Sequence, residues 1–365
     1  MKKTILSFSA ILLSAIIFAQ STSYLITGTI IDAVTKNPMQ GASVFAENTT
    51  TGTASASNGN FSLRLPNGGY DLVITFTGYE TTTKRITTAD AENKELVIEV
   101  NQKAKEMEDV VIKSSSEVAD GWVKYGEFFL DNFIGKTNNS KQCTITNQEV
   151  LKFYYYKRKN RLKVLATAPV EIENLALGYK IKYTLDSFVH EYNTEASVYT
   201  GSSLFEELPA TDTAQITTWE INRQRAYNGS ILHFMRSVYN KSLKENGFEI
   251  QFVAKNKDVD TAIKVSNYYG ALNYNKDDST QLVDIMPNQP NIAIIYTDEE
   301  PDPEYLAQND EKPKDFQLSV ISIVPNESLD IEQNGYYFDQ NDITITGYWI
   351  WDKVADLLPY DYVPN

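Results

Sequence analysis

Short apolar runs separated by turn residues dominate the first hundred positions. Tyr24 to Ile31 is rich in β-branched residues, and Asn37-Pro38 ends the loop that follows it. Proline fixes φ and pushes the residue before it out of the helical region. Gly41 to Ala46 and Gly52 to Ser55 form the next two runs. Asn58-Gly59 is a hairpin dipeptide, since both central positions of a type I′ turn need positive φ. Phe61 to Leu65 alternates apolar and polar residues, as a half-buried strand does. After the turn Pro66 to Gly69 come Tyr70 to Phe76, Tyr79 to Ile86 and Glu95 to Val100. Seven short strands at this spacing predict a β-sandwich.

The pattern then changes. Asn101 to Val118 reads as a linker, charged from Lys103 to Asp109 and serine-rich at Ser114 to Ser116. Asp120 to Phe133 carries Trp122, Tyr125, Phe129 and Phe133 at three- and four-residue steps, which predicts a helix. Asp120 stands at its N-cap, and Gly135 where a left-handed residue would end it. Strands return at Val150 to Tyr156 and Arg161 to Thr167, joined by the basic tip Lys157 to Asn160. Tyr179, Ile181, Tyr183 and Leu185 alternate with Lys180, Lys182 and Thr184, giving one core face and one wet face. A second helical region is expected over Trp219 to Glu245, with Ser230 capping a helix that ends at Gly247. Further strands are expected at Phe248 to Val253, Ala262 to Val265, Tyr268 to Leu272, Asn291 to Tyr296, Gln317 to Val324 and Asp342 to Trp351. Asp298 to Asp315, acidic and broken by Pro301, Pro303 and Pro313, reads as a surface loop.

The order Gly28-x-Ile30-x-Asp32, Pro38-x-x-Gly41-Ala42-x-Val44, Gly52-Thr53, Asn58-Gly59-x-Phe61 and Gly78-Tyr79 resembles the carboxypeptidase-regulatory-like domain. The resemblance implies a transthyretin-like sandwich of the Gram-negative envelope, one that accompanies enzymes and receptors without being catalytic. It often precedes TonB-dependent receptors. The remaining chain is too short for a plug and a barrel of about 22 strands. In such receptors an acidic-then-valine stretch like Glu106 to Ile112 lies near the segment that engages TonB by strand addition. Here the resemblance implies no receptor barrel, and TonB contact through Glu106 to Ile112 is not expected.

The expected organisation is a signal peptide over 1–19, the sandwich over 22–101, a linker over 102–118, and an α+β, strand-rich domain over 119–365. The fold class is therefore mainly β. Lys2-Lys3 and the apolar stretch Ile5 to Phe18 make the signal, with cleavage expected after Ala19. The protein is thus expected to be exported to the periplasm or the outer-membrane surface. The net charge of −15 argues against nucleic acid, which needs a basic surface. One cysteine, Cys143, allows no intramolecular disulfide and reads as a buried structural thiol.

The chain contains two histidines, His190 and His233, and lacks HExxH, G-x-S-x-G, P-loop and Rossmann patterns. No catalytic residue, metal or cofactor is expected from motifs. The densest group of hydrogen-bonding types is Trp219, Asn222, Arg223, Arg225 and Tyr227. Its arginines can grip a carboxylate or a sugar acid by bidentate contacts, or can tie down a helix junction. The main expectation is a non-catalytic binding or scaffolding protein whose partner is an envelope protein or a glycan. The alternatives are a hydrolase using carboxylates of the C-terminal domain and a small outer-membrane barrel.

Overall fold

The computed structural model describes residues 23–88, 95–103, 116–256, 259–325, 327–338 and 343–364. The expected signal peptide and the stretch Glu106 to Ile112 lie outside the described residues. The described strands form five sheets, and none closes on itself. The small-barrel alternative therefore fails: the long strands pair into open sheets with helices packed on them. Among the described residues, no helix is long and apolar enough to cross a membrane.

The seven expected N-terminal strands are present as β1 (Ser23–Asp32), β2 (Ser43–Ala46), β3 (Gly52–Ala54), β4 (Asn60–Pro66), β5 (Tyr70–Thr75), β6 (Thr82–Ile86) and β7 (Leu96–Val100). They make two sheets, β4-β1-β7 and β3-β2-β5-β6. Alternate residues of β1 and β4 are buried, so Ile26, Ile30, Phe61 and Leu65 meet Val44, Leu72 and Ile74 in one core. β1 and β7 run parallel with Gly28 opposite Leu96. A Cβ at Gly28 would lie 2.5 Å from the Leu96 carbonyl oxygen, so only glycine fits there. The Asp32 carboxylate accepts from the backbone N–H groups of Thr35 (2.7 Å) and Val34 (2.9 Å) and from the Tyr79 hydroxyl (2.7 Å). The bond from the Thr35 backbone, then the one from Tyr79, hold its carboxyl well below the usual range.

Helix α1 (Gly121–Phe133) follows. Asp120 holds its N-cap position without a side-chain cap bond and pairs instead with Lys124 at 3.6 Å. Phe129 and Phe133 are fully buried against a six-stranded sheet. Its strands are β8 (Cys143–Ile145), β9 (Leu151–Tyr156), β10 (Arg161–Ala166), β11 (Val170–Asn174), β12 (Tyr179–Glu191) and β13 (Ala196–Glu207), in the order β8-β11-β12-β10-β9 with β13 along β12. β12 shows the expected alternation from Tyr179 to Leu185, and its pairing with β13 slips between Leu185 and Ser187. Cys143 is half-buried, and burial pushes its thiol up to about 12.

The expected second helical region is two helices, α2 (Thr213–Tyr227) and α3 (Ile231–Tyr239). Ser230 caps α3 by accepting from the His233 N–H, as the sequence suggests. The helix stops at Tyr239 instead of Glu245 because Lys241 takes a left-handed φ of 54°. Phe234, Met235 and Val238 then pack on a five-stranded sheet, β15-β14-β18-β19-β21. That sheet comprises β14 (Phe248–Asn256), β15 (Val259–Lys264), β18 (Asn291–Tyr296), β19 (Gln317–Ile323) and β21 (Ile343–Gly347). A small sheet joins β16 (Asn275–Lys276), β17 (Val283–Ile285) and β20 (Leu329–Ile331).

Two expectations fail locally. Tyr268 to Leu272 is a one-turn helix, α4 (Tyr268–Ala271), because Asn267 Oδ1 accepts from the Gly270 N–H at 3.1 Å. Its buried residues Tyr268 and Leu272 stand four apart, a helical step that a short apolar run disguises. The acidic loop likewise holds helix α5 (Pro303–Gln308), with proline at its first turn and Asp302 accepting from the Glu304 N–H at 2.8 Å.

The sandwich is joined to the rest of the molecule by two seams. In one, Asn48 donates its N–H to the Ser203 carbonyl (2.7 Å) and accepts from the Tyr360 N–H (2.7 Å). Thr49 accepts from the Phe205 N–H, and the Thr50 N–H donates to Asp361 at 3.1 Å. In the other, Arg85 pairs with Glu332 at 2.6 Å and lies 4.4 Å from the Tyr336 ring and 4.2 Å from the Phe338 ring. Tyr336 donates to Asp71 at 2.7 Å, and Asn334 donates to the Gly69 carbonyl at 3.1 Å.

Candidate functional site

Two clefts flank the segment that follows β21. Gly347 has a φ of 83°, and a Cβ there would meet the Leu318 carbonyl oxygen at 2.4 Å. This glycine lets the chain leave β21 sharply, into the 3₁₀ turns Tyr348–Ile350 and Val354–Asp356. Asp352 and Asp356 face the first cleft, of about 510 Å³, together with Thr137, Asn139, Arg225, Glu299, Asp302 and Tyr348.

Asp356 accepts from Thr137 Oγ1 at 2.9 Å and from Asn139 Nδ2 at 2.9 Å. Burial outweighs these bonds and raises its carboxyl to about 6. Asp352 is raised well above the usual carboxylate range, first by burial and then by the charges of Asp356, Glu299 and Asp302. Burial also raises Glu299, which accepts from Asn228 at 3.3 Å. Such a group shares its protons: one carboxyl can stay protonated beside an ionised neighbour. Among the described residues, no group of three or more histidine, cysteine, aspartate or glutamate side chains is placed to hold a metal ion.

The five residues singled out from the sequence do not converge on one site. Trp219 Nε1 donates to the Leu175 carbonyl (2.8 Å), Asn222 Nδ2 to that of Ala176 (2.8 Å) and Arg223 Nε to that of Leu177 (2.7 Å). Arg223 also reaches the Gly178 carbonyl at 3.3 Å and Glu207 at 2.9 Å, with its guanidinium 4.0 Å from the Tyr179 ring centre. These three residues share one face of α2 and bind successive carbonyls of the turn before β12. Arg225 and Asn222 line the acidic cleft. Tyr227 packs its ring on His233 at 4.6 Å.

The second cleft, of about 760 Å³, opens between the start of β13, the end of α1, α5 and β21. Ser197 stands directly opposite His190 across the β12–β13 hairpin. His190 Nδ1 lies 2.9 Å from Ser197 Oγ, which donates to Asn132 Oδ1 at 3.0 Å. Glu195 Oε2 is 3.6 Å from His190 Nε2. Burial lowers the proton affinity of the imidazole, against the pull of Glu195 and Glu191, and favours the neutral ring. Trp351, Tyr305, Asn309 and Lys353 form the opposite wall.

Sequence reasoning missed Asp352, Asp356, Trp351 and the Ser197–His190 pair. For the pair a signal existed: His190-Glu-Tyr-Asn-Thr-Glu-Ala-Ser197 reads as two strand ends around a polar turn. For Asp356 none existed, because Thr137 and Asn139 lie more than two hundred residues upstream.

The geometry of the N-terminal module, with its Gly28 crossing and its Asp32–Tyr79 bond, agrees with one comparison. Residues 26–112 match the family model of the CarboxypepD_reg-like domain. The match covers roughly a quarter of the chain and takes in Glu106 to Ile112. The carboxypeptidase-regulatory-like domain is a module of a binding or scaffolding kind. No curated protein matches the chain. Among solved structures, the 9R-lipoxygenase from Cyanothece PCC8801 is 8% identical, aligned over 60% of this chain and 48% of its own, with a TM-score of 0.17. The chain thus spans about half the length of that structure, and at this score the likeness carries no argument.

Proposed function

We propose that this is an exported, non-catalytic binding or scaffolding protein of a Gram-negative envelope, acting in the periplasm or at the outer-membrane surface. Its partner is an envelope protein or a glycan. The observation that carries the reading is the double seam. The carboxypeptidase-regulatory-like domain is bonded to β13 and to the C-terminal segment through Asn48, Thr49, Thr50 and Asp361. It is bonded to the segment after β20 through Arg85, Glu332 and Tyr336. A sandwich held this way acts as a brace behind the two clefts. The net charge of −15 keeps such a protein soluble and disfavours nucleic acid. Cell fractionation, protease shaving of intact cells and carbonate extraction of membranes test the reading. Recovery in the periplasm, or on the surface with release by carbonate, is expected, and recovery in the cytoplasm refutes it.

One observation favours a second reading, a hydrolase using carboxylates. Asp352 and Asp356 sit in one cleft with raised proton affinities, the condition a general acid needs near neutral pH. Turnover of chromogenic glycosides that Asp356→Asn abolishes would establish it, and absence of turnover would leave the binding reading.

A further inference from the structure

We propose that the cleft lined by Trp351 and Ser197 binds a neutral, hydroxyl-rich ligand, a saccharide chain. The inference rests on the binding reading above and names the ligand class for one of its clefts.

One buried nitrogen in the lining of this cleft has no partner. Trp351 is only 7% exposed, and its indole Nε1 has no acceptor. Folded proteins pair nearly all such groups, so an unmet one in a cleft wall marks a place where an external group completes the bonding. Trp351 forms part of the cleft wall, and His190 reaches the cleft through Ser197.

The chemistry of the wall selects the ligand. Tyr305 and Trp351 pack edge to face at 5.8 Å and give the apolar surface against which the C–H face of a sugar ring stacks. Asn309, Gln308, Thr344 and Ser197 offer neutral donors and acceptors around it. Much of the charge here is already paired, Lys136 to Asp131 at 3.1 Å and Glu311 to Lys314 at 2.6 Å. An ion finds these counter-charges engaged, and the other charged residues of the lining, Glu195 and Lys353, are of opposite sign, whereas hydroxyl groups can both donate and accept. The volume of about 760 Å³ lies within the range of small-ligand sites.

The test uses the full-length protein with maltotetraose, cellotetraose and chitotetraose, followed by isothermal titration calorimetry and tryptophan emission. At least one sugar is expected to bind. Trp351→Phe, which keeps an aromatic ring and removes the indole N–H, is expected to weaken it about tenfold, the loss of one buried hydrogen bond. Ser197→Ala is expected to weaken it too, and near-ultraviolet dichroism shows that both variants stay folded. The inference is overturned if none of the three sugars binds. It is equally overturned if Trp351→Phe and Ser197→Ala bind as the parent does while Asp352→Asn loses binding. Sugar bound in this cleft and then hydrolysed would support the site while refuting the non-catalytic reading, so the two failures are distinguishable.

Discussion

Replacing Glu47 by glutamine should stabilise the protein in alkaline but not in acid solution. Glu47 follows β2 at the seam with β13, and its N–H donates to the Asp71 carbonyl at 2.8 Å. Burial pushes its carboxyl from 4.5 up to about 7, helped by the charges of Asp71 and Asp186 and opposed by a bond from Ser202. An acid whose proton affinity is raised by folding disfavours the native state wherever the unfolded chain ionises it more readily. Below pH 4.5 the group is protonated folded and unfolded, and contributes nothing. Between 4.5 and about 7 the unfolded chain ionises first, so stability falls as pH rises, and above about 7 the full cost is present. At roughly 1.4 kcal/mol per tenfold change in proton affinity, the cost is on the order of 3 kcal/mol. Allowing for the part of the side chain that stays wet leaves about 2 kcal/mol. Glutamine removes the charge and keeps an acceptor for Ser202. Guanidinium unfolding of parent and variant at pH 4, 6 and 8, followed by tryptophan fluorescence, checks this. The variant should gain about 2 kcal/mol at pH 8, with the gap closing by pH 4. A gap that is the same at all three values, or a variant less stable at pH 8, would refute the reasoning.

Other seams and turns give further expectations. Arg85→Ala leaves Glu332 buried without its cation and should cost about 3 kcal/mol, with earlier proteolytic cleavage between the sandwich and the C-terminal region. Gly59→Ala should cost about 1–2 kcal/mol in thermal unfolding, because φ is 79° there and a Cβ would lie 2.6 Å from the Ile30 carbonyl oxygen. Trp219→Phe strands the Leu175 carbonyl and should cost about 1 kcal/mol without changing any ligand affinity. A loss of ligand binding with unchanged stability would instead make the α2 face a recognition surface.

The sandwich was legible because β1, β4 and β7 each bury alternate residues, and a period of two survives in sequence wherever one face is buried. α1 was legible for the matching reason, an aromatic stripe at helical spacing. Tyr268 to Leu272 was misread because a five-residue apolar run carries both periods. The ends of α3 and the onset of α5 turned on single residues, Lys241 in a left-handed conformation and Asp302 as a cap, which apolar periodicity does not register. The group Trp219, Asn222 and Arg223 was visible as one face of a helix. What that face meets, the carbonyls of 175–178, lies more than forty residues away and depends on the sheet being built first. The clefts are less legible still, since the acidic one joins Thr137, Arg225, Glu299 and Asp352 from separate elements.

The recognisable motif itself explains why the sequence speaks of fold more readily than of function. Its residues bond chiefly to one another. Asp32 is held by Thr35 and Tyr79, Gly28 admits the close crossing of β7, and Gly59 turns the chain beneath Ile30. Each of these contacts is internal to the carboxypeptidase-regulatory-like domain, so the motif specifies how that module closes and leaves its outer surface free. The residues that join it to its neighbour, Asn48, Thr50, Asp71 and Arg85, lie outside the motif. They are polar positions that any exposed loop or strand edge could carry. The module can therefore be fastened to unrelated domains without altering its signature. In this protein the chemistry that distinguishes the molecule, the raised aspartates and the unpaired indole, belongs to the partner it braces.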